Sequence, residues 1–137
     1  MSRPDRVIPI HPAPAPPSVV ADALMREIAA ALSRYAQDGQ PHVIDLSAMP
    51  LSEDDTQRLD EQLGTGEVAI EIRSLLYTRV EETRYAGVWR VRHEDPDGSM
   101  RGEQIEITDI PEIVRASAAD IGRSVQRLCA DRAEEDA

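Results

Sequence analysis

The chain has 137 residues, of which 41% are hydrophobic and only 3% aromatic, and its formal net charge is −11 at pH 7. This length fits a single domain, whose core must be aliphatic. So acidic a surface is repelled by the phosphates of nucleic acids and by anionic membranes, which argues against both as partners. The sequence contains no lysine, which excludes a Schiff-base lysine and a phosphate-loop lysine.

Prolines crowd the start of the chain. Residues 1–17 hold six of the ten prolines, which remove backbone donors and fix φ, so this stretch is predicted to be a flexible segment. It lacks the continuous apolar core of a signal peptide, and no stretch approaches the roughly 20 apolar residues of a membrane span. The chain is therefore predicted to be cytoplasmic.

The first half of the folded region predicts helix, strand and helix. Apolar residues recur at helical spacing over residues 18–38, which indicates an amphipathic helix that ends near Gly39. Residues 42–46 are short and β-branched between two prolines, as in a strand. Ser52 opens a second helix with a loose capping box, and Gly64 ends it.

The second half predicts a series of strands followed by a helix. Residues 66–73, 77–83, 88–93 and 105–107 have strand character. A final helical region is expected to open at Asp109 and Pro111, with its apolar residues in contact with the core; these are Ile113, Val114, Ile121, Val125 and Leu128.

The predicted fold class is therefore α+β. We expect a two-layer domain, a mostly antiparallel sheet of four to five strands with helices packed on one face. This single domain should span residues 18–130, and residues 131–137 should form an acidic tail that frays.

Residues suited to metal binding or nucleophilic catalysis are few and scattered. His11, His42 and His93 are far apart in sequence, and Cys129 is the only cysteine. A structural zinc site needs about four such ligands, and an iron–sulfur cluster usually needs four thiolates. We therefore predict no metal site, no cofactor and no catalytic residue, and we expect Cys129 to be a buried thiol on the apolar side of the last helix.

Six arginines lie between residues 73 and 101, around the single tryptophan. In the strand over 88–93, alternation places Arg90 and Arg92 on one face and Trp89 on the other. Tryptophan and arginine are common at binding hot spots, which favours a partner surface. The alternative interpretation is that Arg79, Glu81, Glu82 and Arg84 form cross-strand ion pairs on a solvent-facing side.

Three segments in order resemble the C-terminal domain of the HupH/HyaF hydrogenase expression/formation proteins. They are the glycine turn over residues 63–70, the strand over 82–91 that contains Ala-Gly-Val-Trp-Arg, and the Ile-Pro helix start within 105–111. The resemblance implies a non-enzymatic, chaperone-like accessory role in maturation of uptake nickel–iron hydrogenase. It also implies as partners a hydrogenase small-subunit precursor, during iron–sulfur cluster assembly, and other maturation proteins.

The resemblance also supplies candidate residues. We expect Gly64, Gly66, Gly87 and Pro111 to be structural signature positions. The candidates for partner contact are Glu67, Glu82, Trp89 and Arg90.

Two other functions stay open at this stage. A small enzyme would use Tyr85, His93 or Glu82 as acid–base groups, and would need at least two of them to converge in a pocket. An iron–sulfur carrier would use Cys129 from two or more protomers. The sequence does not decide whether the chain forms a homodimer.

Overall fold

A computed structural model describes residues 19–137, so the predicted proline-rich segment lies outside the described residues. The three helices are α1 (Val19–Asp38), α2 (Glu53–Leu63) and α3 (Ala118–Asp136). The five strands are β1 (His42–Asp45), β2 (Ala69–Arg73), β3 (Tyr77–Glu82), β4 (Val88–Glu94) and β5 (Met100–Ile107). Two short 3₁₀ helices occupy Leu46–Ala48 and Glu112–Val114.

The strands form one antiparallel sheet in the order β1-β5-β4-β3-β2. Strands β2 to β5 follow one another as a meander, and β1 joins the sheet beside β5. The predicted α+β class, with a mostly antiparallel sheet of four to five strands, is confirmed.

The alternation along β4 sorts its side chains onto two sheet faces. Val88 joins the core that α1 and α2 build on one face, and Arg90 points the same way, since it reaches Asp60 on α2. Trp89 and Val91 lie on the opposite face. The helix-covered core contains Leu24, Ile28, Ala31, Ile44, Leu46, Leu59, Leu63, Val88, Ile105 and Ile107.

A smaller apolar cluster lies on the other face of the sheet. It consists of Val80, Trp89 and Val91, all at most 5% exposed. The half-buried side chains of Ile70, Ile72 and Val114 pack against it.

The predicted capping box of α2 is present. The Ser52 hydroxyl accepts from the Asp55 amide, and the Asp55 carboxylate accepts from the Ser52 amide, both at 3.0 Å. These two bonds pair donors that a helix N-terminus otherwise leaves unbonded.

The end of the chain differs from the prediction. The 3₁₀ helix Glu112–Val114 comes first, and α3 starts only after Ser117, whose side chain accepts from the Asp120 amide. Helix α3 continues to Asp136, so it includes nearly all of the stretch expected to fray.

The expectation that α3 contributes to the core is wrong. Every residue of α3 is exposed, including Ile121, Val125 and Leu128. Cys129 is exposed as well, so the prediction of a buried thiol is also wrong. Of the five apolar residues expected in the core, Val114 is half-buried and packs on the second cluster, while Ile113 is exposed. The amphipathic pattern correctly predicts a helix, but among residues 19–137 its apolar side chains Ile121, Val125 and Leu128 stay exposed.

Candidate functional site

The turn that follows α2, residues 64–67, is defined here as the signature turn. Gly64 caps α2 with φ +59°, and its amide donates to the Asp60 carbonyl at 2.9 Å. Arg84 lies against it, with its amide bound to the Leu63 carbonyl at 2.8 Å and its guanidinium to the Glu61 carbonyl at 2.9 Å. A Cβ at position 64 would lie 2.7 Å from Arg84 Nε. The positive φ is the reason for glycine here, since the Arg84 guanidinium is the end of a flexible side chain and can move aside.

The signature turn is also bonded to the end of β3. The Gly66 amide donates to the Glu82 carbonyl at 2.8 Å, and the Glu67 amide donates to the Glu82 carboxylate at 3.2 Å. A Cβ on Gly66 would lie 2.4 Å from the Thr83 carbonyl oxygen. This clash is with a backbone atom, so it cannot be relieved by moving a side chain. These contacts explain Gly66, because the missing side chain lets the turn lie directly on the end of β3.

The other two structural signature positions are Gly87, directly before β4, and Pro111, shortly after β5. Gly87 is in the turn between β3 and β4, and its carbonyl accepts from the Thr108 amide at 3.0 Å. Pro111 is buried immediately before the second 3₁₀ helix.

Trp89 is an interior residue. It is 5% exposed in the second apolar cluster, and its indole Nε1 donates to the Thr108 carbonyl at 3.1 Å. A buried indole of this kind contributes apolar burial and one hydrogen bond to the fold. Its burial argues against direct contact with a partner.

Arg90 is also buried, on the opposite face of β4, with 7% of its side chain exposed. Its guanidinium donates to the carboxylates of Asp60 on α2 and Glu103 on β5. Burial disfavours the charge, but the hydrogen bond to Asp60 and the charge and hydrogen bond of Glu103 outweigh it and raise the pKa of Arg90. Arg90 therefore joins helix and sheet from inside, which also argues against direct partner contact.

The ion pairs continue outward from Arg90. Arg92 donates to the same Glu103 oxygen at 3.1 Å and lies 3.6 Å from Glu81. This network is half-buried between α2 and the sheet, not spread over a solvent-facing side. The arginines of β4 thus form cross-strand ion pairs, but not on the solvent-facing side that the alternative interpretation predicts.

Two clefts flank the signature turn. One of about 250 Å³ is lined by Asp60, Gly64, Thr65, Glu81, Glu82, Arg90 and Arg92. The other, of about 550 Å³, is lined by Thr65, Gly66, Glu67, Glu82, Thr83, Arg84 and Ala86. Of the four candidate contact residues, Glu67 lines the larger cleft, Arg90 lines the smaller one, Glu82 lines both, and Trp89 lines neither. Glu67 is exposed, whereas Glu82 is half-buried and holds the Glu67 amide.

Among the candidate acid–base groups, His93 lies apart from Glu82, and Tyr85 lines neither of the two clefts that Glu82 lines. His93, on β4, forms a hydrogen bond with Thr78 at 2.8 Å. Glu82, on β3, lies opposite Trp89, which is four residues before His93 on β4. That separation is about 13 Å along the strand. Tyr85 is exposed in the turn between β3 and β4. Among residues 19–137, no group of three or more His, Cys, Asp or Glu is placed to hold a metal ion, and His11 lies outside this range.

Sequence reasoning missed Asp60, Arg84 and Glu103. Arg84 could have been found by asking which donor reaches the free carbonyls at the end of α2, since these need partners. Glu103 depends on the pairing register of β4 and β5, which no motif indicates.

The fold and this ion-paired site can now be set beside known proteins. The family profile described as "HupH hydrogenase expression protein, C-terminal conserved region" matches residues 19–134, from α1 through most of α3. The chain therefore belongs to the HupH family of hydrogenase expression proteins, through their C-terminal region, as the sequence motifs had indicated.

Individual relatives carry related names. The chain is 34% identical over 110 residues to the hydrogenase expression/formation protein HupQ of Azotobacter chroococcum, a match that covers 79% of this chain and 39% of that protein. It is 38% identical over 93 residues to the hydrogenase-1 operon protein HyaF of Escherichia coli, covering 66% and 32%. The match thus spans well under half the length of these curated relatives.

One solved structure matches the fold over nearly its whole length. It is the hydrogenase expression protein HupH from Thiobacillus denitrificans, with a TM-score of 0.81 and 33% sequence identity. The match covers 85% of this chain and 98% of that one. No helix of the described residues is long and apolar enough to cross a membrane.

Proposed function

We propose that this chain is a non-enzymatic binding module for the maturation of uptake nickel–iron hydrogenase. In this proposal it acts in the cytoplasm and holds a hydrogenase small-subunit precursor while the iron–sulfur clusters are assembled. Membership in the HupH family over residues 19–134 is the observation that carries it.

The proposed contact surface is the signature turn with its two clefts. Glu67 presents an exposed carboxylate at the larger cleft, Glu82 lines both clefts, and Glu81 lines the smaller one. Together with the overall charge of −11, this surface suits a basic segment of a client. Arg90 lines the smaller cleft but is only 7% exposed, and Trp89 lines neither cleft, so the proposed role of both is indirect.

The contacts of the acid–base candidates favour binding over catalysis. Glu82 accepts a hydrogen bond from the Glu67 amide, and His93 forms one with Thr78. The two side chains thus have different partners at different places on the sheet. A general acid and base must both reach one substrate. Their separation is the support for a non-enzymatic role.

Affinity capture from hydrogenase-producing cells tests the proposal. The tagged chain should retain a hydrogenase small-subunit precursor. Glu67→Lys reverses the exposed charge and should reduce recovery at least about tenfold, as expected for a central charged contact. Glu112→Lys is the matched control, because Glu112 is 93% exposed and lies outside both clefts.

Circular dichroism should show both variants folded. Capture that lacks every hydrogenase component, in cells where the precursor is present, would refute the proposed client. Equal recovery by Glu67→Lys and wild type would refute the proposed surface.

A further inference from the structure

Helix α3 is long, regular and without a packing partner among the described residues. It has 19 residues, none of them buried. Most helical stability in proteins comes from packing of an apolar face, which α3 lacks among the described residues. Ile121, Val125 and Leu128 are 53%, 57% and 63% exposed.

These three side chains form one stripe. They are spaced four and three residues apart, so they project from the same side of the helix, the spacing of a coiled-coil seam. The family profile extends to residue 134, so α3 with its stripe is part of the family domain.

We propose that the stripe pairs with the same stripe of a second copy of this chain, with the two α3 helices antiparallel. This surface uses no residue of the signature turn. It therefore goes beyond the proposed function and can hold or fail independently of it.

The charges of α3 favour the antiparallel arrangement. The first half of the helix carries one acidic residue and two arginines, Asp120, Arg123 and Arg127, for a net +1. The second half carries four acidic residues and one arginine, Asp131, Arg132, Glu134, Glu135 and Asp136, for a net −3. An antiparallel pair sets each acidic half against a basic half and opposes the two helix dipoles, whereas a parallel pair sets −3 against −3.

The stripe also fixes the register. With the two-fold axis at Val125, Ile121 of each copy lies within one residue, about 1.5 Å along the axis, of the level of Leu128 of the other, and the two Val125 side chains meet. Gly122 and Cys129 lie on the same flank of the stripe. Gly122 of one copy therefore lies close to Cys129 of the other. Both are small, which lets the helices approach closely.

Self-association is the first test. Sedimentation velocity over a concentration series should show wild-type chain in a monomer–dimer equilibrium. Val125→Asp places two carboxylates together at the axis and should weaken the dimer at least about tenfold. Ala119→Asp, on the opposite side of α3, is the matched control and should associate like wild type.

A cysteine pair tests the direction. The two Cys129 residues would be about 12 Å apart along the axis of the antiparallel pair, from 1.5 Å rise per residue, which is too far for a disulfide. Mild oxidation should therefore not cross-link wild type, whereas Gly122→Cys should cross-link to Cys129 of the second copy. A Cβ at position 122 meets nothing within 4 Å, so this variant should fold. Ala119→Cys should give no cross-link.

Three results would overturn the proposal. Wild type that stays monomeric at the highest soluble concentration would exclude self-pairing. A rapid Cys129–Cys129 disulfide in wild type would exclude the antiparallel direction. Loss of hydrogenase capture by monomeric Val125→Asp, with wild type equally monomeric, would assign the stripe to a client instead.

Discussion

Helices α1 and α3 have nearly the same length, 20 and 19 residues, and both have an apolar stripe at helical spacing. In α1 the stripe residues Leu24 and Ile28 are each 3% exposed, because α2 and the sheet cover them. In α3 the corresponding side chains are more than half exposed. Amphipathic spacing therefore predicts that a helix needs a packing surface, but not that its own domain supplies that surface.

The largest expected effect comes from matched truncations in the two stripes. Leu24→Ala should lower the free energy of unfolding by about 2–5 kcal/mol, because it leaves a cavity in the main core. Leu128→Ala should change it by less than about 0.5 kcal/mol at protein concentrations where the chain is monomeric. Urea unfolding followed by circular dichroism measures both. Equal losses would mean that α3 packs on its own domain in solution.

A charged pair gives the next contrast. Glu103→Gln removes the main partner of buried Arg90 and should cost about 2–3 kcal/mol, with the remaining bond to Asp60 limiting the loss. Glu135→Gln removes the partner of Arg132 on α3, where both side chains are about 70% exposed, and should cost less than about 0.5 kcal/mol. The same urea titrations apply. A Glu103→Gln value as small as that of Glu135→Gln would show that the Arg90 network does not stabilise the fold.

The smallest expected effect comes from a substitution in the segment that connects β5 to α3. The Ile110 amide, the Thr108 hydroxyl and Arg115 lower the pKa of Asp109 below its usual 3.8. Because the folded-state pKa is the lower one, this stabilisation is present above pH 3.8 and is lost as the pH falls through the folded value. Asp109→Asn should therefore lower Tm slightly near neutral pH, and the two Tm curves should meet in acid. A Tm difference that stays constant down to pH 2 would contradict this titration.

Local patterns predicted most of the fold because they report local physics. The capping box at Ser52, the glycine end of α2 and the alternation of β4 each depend on a few adjacent residues. The antiparallel sheet followed from strands joined by short turns. Packing was predicted poorly, as α3 shows, because contact between distant elements is not encoded in any one stretch.

The candidate site was predicted only in part. In the signature turn, Gly64 adopts a positive φ and Gly66 lies against the Thr83 carbonyl, so both glycines follow from local geometry. The motif could not show that Trp89 and Arg90 are interior, since alternation says that they point in opposite directions but not that both faces are covered. The partners of Arg90 come from α2 and β5, so they emerge only once the sheet register and the helix position are known.

Trp89 gives this chain a built-in optical probe. It is the only tryptophan, and its indole is bonded to Thr108, at the start of the loop that leads towards α3. Its fluorescence should have the blue-shifted emission of a shielded indole and low accessibility to acrylamide. Any event that pulls residues 108–117 away from β4 should therefore register as quenching without an added dye.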